Sequence, residues 1–158
     1  MSTPGFTEGK FEVSGQPNLL GGYIEAKVFE QTPENTTNII RIDQEWGVVF
    51  HWELKGTLKR MICGEWCLHV DLESIGEGPE LNLPSKEGLH VPFKGCEKCE
   101  FTQAVCIPAG TVSGEHCSIP YKLVATVTYL DDCDVPGPLA GYVEGPIVQF
   151  YDPGLQKP

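Results

Sequence analysis

From Trp46 onward the chain alternates. Trp46, Val48, Phe50, Trp52 and Leu54 fall on one side, and Val49, His51, Glu53 and Lys55 on the other. A period of two belongs to a strand, whose successive side chains point to opposite faces, so the stretch predicts a strand with a heavily apolar inner face ending at Gly56. Glu65 to Ser74 repeats the pattern, with Trp66, Leu68, Val70 and Leu72 inward and Cys67, His69, Asp71 and Glu73 outward. Tyr121 to Leu130 sets Tyr121, Leu123, Ala125, Val127 and Tyr129 against Lys122, Val124, Thr126 and Thr128. Its β-branched and aromatic residues suit a central, well-covered strand.

Weaker alternation marks Phe6 to Val13, Gly21 to Glu30 and Phe101 to Ile107, with short candidates at Asn38 to Asp43 and Leu89 to Phe93. Gly141 to Tyr151 also reads as a strand. It carries Gly145-Pro146 in its middle, and proline cannot donate to a ladder, which predicts a bulge or an edge position there. Ser74 to Gly95 is the longest expected loop region. No window of useful length places apolar residues at i, i+3, i+4 and i+7, so helices are not expected. The predicted fold is all-β: a two-sheet antiparallel β-sandwich, immunoglobulin-like or jelly-roll-like, of seven to eight strands. Inner faces crowded with large aromatics favour it over a ligand-holding barrel. The strands and the inward Trp66 resemble immunoglobulin-like sandwiches in architecture, although the Cys-Trp-Cys spacing of that family is not met.

At 158 residues, with 41% hydrophobic and 9% aromatic residues, the chain has material for one core and is read as a single domain over residues 1–158. Its 18 glycines and 13 prolines are scattered between apolar runs, as turns between short strands require. The formal net charge is −11. Such a surface repels phosphate backbones and anionic lipid, and the basic knot of Lys55, Lys59 and Arg60 is too small to reverse it. Nucleic acid and membrane are therefore not expected as partners. Met1 to Lys10 shows neither a basic n-region nor an apolar h-region, which predicts a cytoplasmic protein. A secreted protein with paired cysteines is the alternative if Met1 is not the natural start.

Seven cysteines, Cys63, Cys67, Cys96, Cys99, Cys106, Cys117 and Cys133, carry the most specific chemistry. Cys96-Glu-Lys-Cys99 has the C-x-x-C spacing that lets two thiolates grip one zinc ion from a tight turn. Cys63 and Cys67 would supply the other pair of a structural zinc site. The competing reading is loop thiols, or disulfides in an oxidising compartment. The redox reading fails for want of a βαβ context.

His51, Glu53, His69, Asp71 and Glu73 all face outward on the two strongest strands. If those strands are neighbours, they share a patch with the ligand chemistry of a divalent metal; otherwise they are solvated outer faces. The same acids permit a glycosidase-like pair only if a cleft lies between them. Asp131-Asp132-Cys133-Asp134 is oxygen-rich but lacks EF-hand spacing. His116-Cys117, if on a strand, point apart. No G-x-S-x-G, G-x-G-x-x-G or H-E-x-x-H occurs. The functional expectation is a non-catalytic binding or assembly module acting through an exposed sheet face, edge strand or loops, with a protein partner or self-association. The alternatives are a carbohydrate-binding module stacking sugars on Tyr142 or Tyr151, and a small metal-dependent or glycan-active enzyme using the outward His/acid patch.

Overall fold

The computed structural model describes residues 4–13, 19–76, 78, 80–83, 89–93, 99–117, 119–131, 133 and 135–155. Among them lie eleven strand segments: β1 (Thr7–Glu8), β2 (Lys10–Val13), β3 (Gly21–Glu30), β4 (Ile39–Arg41), β5 (Trp46–Lys55), β6 (Gly64–Ser74), β7 (Leu81–Leu83), β8 (Leu89–Phe93), β9 (Glu100–Ile107), β10 (Tyr121–Leu130) and β11 (Pro136–Tyr151). Short 3₁₀ turns at Thr57–Met61, Gly114–His116 and Pro153–Leu155 are the helical content of the described residues. No helix among them is long and apolar enough to cross a membrane.

The strands form two sheets. One has four strands in the order β1-β3-β5-β9; the other has seven, β2-β11-β10-β6-β7, with β4 beside β11 and β8 beside β6. Pairing is antiparallel throughout except between β4 and β11, which run parallel.

Eleven segments exceed the seven to eight expected, and the excess has physical causes. The single strand expected over Phe6 to Val13 is cut at Gly9, where the chain leaves the edge of β3 and joins β11. Thr7 pairs with Ala26, whereas Lys10 pairs with Tyr142. The crossing is so tight that a Cβ on Gly9 would overlap the Tyr142 carbonyl oxygen, so only glycine fits. Within the expected loop region, β7 and β8 lie end to end along β6, pairing with residues 70–72 and 64–68. A three-residue strand such as β7 is too short for alternation to reveal.

The proline in β11 sits at a bulge, one of the two positions expected for it. Lys122 pairs with Ile147 and Val124 with Glu144, so one extra residue bulges out of β11 around Gly145-Pro146. Overall β11 is an interior strand, flanked by β10 and β2. On its far side β2 pairs with residues 139–142 and β4 with 149–151. Pro146 falls in the gap between them, a local edge inside an interior strand.

The two apolar faces pack against each other. Trp46, Phe50, Trp52, Trp66, Leu68, Val70, Leu123 and Val127 are all at most 2% exposed. Trp52 of the four-stranded sheet meets Trp66 of the seven-stranded sheet edge to face at 6.1 Å. Trp52 stacks on Phe101 at 5.3 Å and Trp66 on Phe93 at 5.0 Å, with Phe11 and Tyr129 against the edge of Trp66. The Trp52 and Trp66 indole N–H groups and the Tyr121 hydroxyl are buried there without a hydrogen-bond partner among the described residues. With their apolar faces joined, the sheets turn their polar faces in opposite directions.

Candidate functional site

That arrangement divides the outward residues of β5 and β6. His51 and Glu53 lie on the four-stranded sheet, while His69, Asp71 and Glu73 lie on the seven-stranded one. They share no patch.

The outer face of the four-stranded sheet has the denser chemistry. Register places Glu25, His51 and Thr102 in one cross-strand row and Tyr23, Glu53 and Glu100 in the next. The His51 ring is held from both sides: Nδ1 lies 3.3 Å from Glu25 Oε2, and Nε2 lies 3.0 Å from Glu100 Oε1 and 3.7 Å from Glu53 Oε1. Glu25 is 1% exposed, an unusual position for a carboxylate, and the Tyr23 hydroxyl donates to its Oε1 at 2.6 Å. Burial, and then the Glu25 carboxylate it bonds, push the Tyr23 phenol well above its ordinary range. Glu8 adds another carboxylate through its pairing with Glu25. The nearby lysines are turned to rings, Lys55 over Tyr23 at 5.6 Å and Lys27 over Phe6 at 5.2 Å. His51, Glu53 and Glu100 each offer a ligand atom within 4.8 Å of the others.

His51 and Glu53 were legible as outward strand residues; Tyr23, Glu25 and Glu100 were not singled out. Alternation does put Tyr23 and Glu25 on the face opposite Ile24 and Ala26. Their meeting with His51, however, depends on which strands pair and in what register.

On the seven-stranded sheet, Cys67 and His90 are cross-strand partners. Cys67 Sγ lies 3.8 Å from His90 Nε2 and 3.9 and 4.0 Å from the two ring nitrogens of His69. His90 Nδ1 is 2.8 Å from Glu65 Oε2. Burial, reinforced by the Glu65 charge, raises the Cys67 thiol, and burial raises the Asp71 carboxyl. Glu73 is held with Glu144 by Lys122, at 3.3 and 3.4 Å.

The four cysteines of the expected zinc site are placed as follows. Cys96 lies outside the described residues. Cys99, immediately before β9, is disulfide-bonded, and in that state its sulfur offers no thiolate to a metal. Cys63 precedes β6 and accepts the Tyr129 hydroxyl on its carbonyl at 2.6 Å. Cys67 sits on the outer face of β6 beside the two histidines.

The remaining candidates lie apart from these two clusters. Asp131 Oδ1 accepts from the N–H groups of Cys133 and Val135 at 2.8 and 3.0 Å, pinning its own turn; Asp132 and Asp134 lie outside the described residues. His116 is on a 3₁₀ turn rather than a strand, with Nδ1 accepting from the Ser113 N–H at 3.2 Å. Tyr142 lines an open cleft of about 390 Å³ with Glu8, Gly9, Lys10 and Glu144, beside the crossing at Gly9. No family model matches the chain, and neither a curated protein nor a solved structure matches it, so geometry alone carries the functional reading.

Proposed function

We propose that the chain is a non-catalytic binding module, a two-sheet β-sandwich of immunoglobulin-like or jelly-roll-like form, whose working surface is the outer face of the four-stranded sheet. Its ligand is cationic. The observation that supports this reading is the set of three carboxylates, Glu25, Glu53 and Glu100, gathered around one imidazole, with Glu25 almost wholly buried and Glu8 paired beside it. Like charges on neighbouring strands destabilise a sheet, and a buried carboxylate costs several kcal/mol before its hydrogen bonds are counted, on the order of the penalty for any buried ion. A positive group on the face offsets both terms. The net charge of −11 adds a long-range field of the same sense. A protein partner bearing basic side chains fits it better than a second copy of this acidic chain.

A carbohydrate reading is favoured by one observation, the half-buried Tyr142 in the cleft between Glu8 and Glu144; an aromatic flanked by acids suits a sugar ring and its hydroxyls. Both readings meet one test. Amide shifts of ¹⁵N-labelled protein are followed during titration with a Lys/Arg-rich peptide, with divalent metal salts and with neutral oligosaccharides. Cationic ligands are expected to move the amides of residues 23–27, 49–55 and 100–104. A silent face with every cation overturns the proposal. Oligosaccharide shifts confined to residues 8–10 and 142–144 would replace it with the carbohydrate reading.

A further inference from the structure

We infer that the cation on this face is a divalent first-row transition metal ion, bound by His51 Nε2 and one carboxylate oxygen each from Glu53 and Glu100. The inference rests on the cation-binding reading above and narrows it to direct coordination.

The geometry is that of a metal site. Metal–nitrogen and metal–oxygen bonds of about 2.1 Å, separated by 90–110°, leave neighbouring ligand atoms about 3.0–3.4 Å apart. The His51–Glu100 and His51–Glu53 separations are 3.0 and 3.7 Å, and the three ligand atoms all fall within 4.8 Å of one another. Small rotations of the half-exposed Glu100 and Glu53 side chains close the remainder.

The imidazole is also oriented as a ligand. Its Nδ1 faces Glu25 at 3.3 Å, and the Tyr23 hydroxyl fixes Glu25 in turn at 2.6 Å. A histidine that gives its second N–H to a carboxylate has its tautomer and ring plane set, and presents the other nitrogen as a more basic donor. With the proton on Nδ1, the Nε2 lone pair points at Glu53 and Glu100. Three electron-pair donors then converge on one point, and only a cation there relieves them. A proton can fill that role, but a metal ion satisfies all three at once.

The donor set narrows the ion. One nitrogen and two carboxylates suit Mn²⁺, Fe²⁺, Co²⁺ or Zn²⁺. Mg²⁺ and Ca²⁺ prefer all-oxygen shells, and Mg²⁺ keeps most of its water. Three protein ligands on an open sheet face leave coordination positions for water or for a group of the bound partner.

Mn²⁺ is the probe of choice, because it is paramagnetic and disregards thiols, including Cys67. Added to ¹⁵N-labelled protein, it is expected to broaden the amides around His51, Glu53 and Glu100 at one equivalent per chain. Glu25→Gln should weaken the binding by about ten- to a hundredfold, the usual effect of losing a carboxylate behind a ligating histidine. Glu100→Gln, at a half-exposed position, should weaken it at least as much. Glu34→Gln, which removes the same charge from an exposed turn, should leave it unchanged. Broadening that is absent from this face, or that Glu34→Gln weakens as much as Glu100→Gln, overturns the inference. If Mn²⁺ has no effect while the basic peptide still shifts the face, coordination is refuted and the cation-binding proposal stands; silence with both refutes the two together.

Discussion

Trp52 is the residue whose replacement most directly tests the packing between the sheets. It is fully buried, stacks on Phe101 at 5.3 Å and meets Trp66 edge to face at 6.1 Å. Trp52→Ala removes the whole indole from a site that the rigid strands on either side cannot collapse around, and such truncations cost about 3–5 kcal/mol. In a chain of this length each kcal/mol lowers Tm by about 2–4 °C, so the variant should melt about 6–20 °C lower. Trp52→Phe separates shape from polarity. It keeps a ring against Phe101 and discards the buried indole N–H, which has no partner among the described residues. An unsatisfied donor costs about 1–3 kcal/mol, which offsets much of the volume lost. Trp52→Phe should therefore lie within about 1 kcal/mol of the parent, the net of those two opposing terms. Guanidinium unfolding followed by far-UV circular dichroism measures both without relying on tryptophan emission. Equal losses for the two variants would show that the N–H is not a liability. A Trp52→Ala protein as stable as the parent would refute the face-to-face packing itself.

The Tyr23 and Tyr121 phenols are both raised above their ordinary value of 10.0, chiefly by burial, so the folded state holds their protons more tightly than the unfolded chain. Their contribution is intact below pH 10 and is lost as pH rises from there through the folded values; Tyr23→Phe should flatten the alkaline fall in urea-unfolding stability. Gly9→Ala should destabilise the fold by about 1–3 kcal/mol through overlap with the Tyr142 carbonyl, and amide exchange should show β2 coming free first. With a maleimide under native conditions and peptide mapping, Cys106 and Cys133, both exposed, should label before Cys67, whose burial and Glu65 neighbour disfavour the thiolate. Early labelling of Cys67 would mean that His90 activates it.

What could be read from sequence followed the strength of the local signal. β3, β5 and β10 begin and end where alternation and flanking residues place them, because each sets a long apolar face against a polar one and a one-residue slip would bury the wrong set. The reading lost definition where tertiary contacts decide. Nothing near Gly9 announces a change of sheet; that becomes visible only when the Tyr142 carbonyl arrives from the far end of the chain. The extension of β11 back to Pro136 is likewise imposed by its neighbours. The site divides in the same way. The outward direction of His51 and Glu53 is local, whereas Glu25 and Glu100 reach His51 through strand pairing across 26 and 49 positions. Outwardness alone made His69, Asp71 and Glu73 look like partners of His51, and only sheet membership separates them.

The pairing of β2 with β11 bears on how the chain is made. It joins residues 10–13 to residues 139–142, so the first strand of the seven-stranded sheet has no hydrogen-bonded strand partner until residues 139–142 have been synthesised. Contacts this distant along the chain are slow to form, and unpaired strands in a half-made domain invite wrong association. On the ribosome, β2 must wait as an unprotected segment while β3, β5 and β9 can already pair. Completion of the seven-stranded sheet therefore waits for β11, and a nascent chain arrested before residue 139 should remain sensitive to protease around residues 10–13.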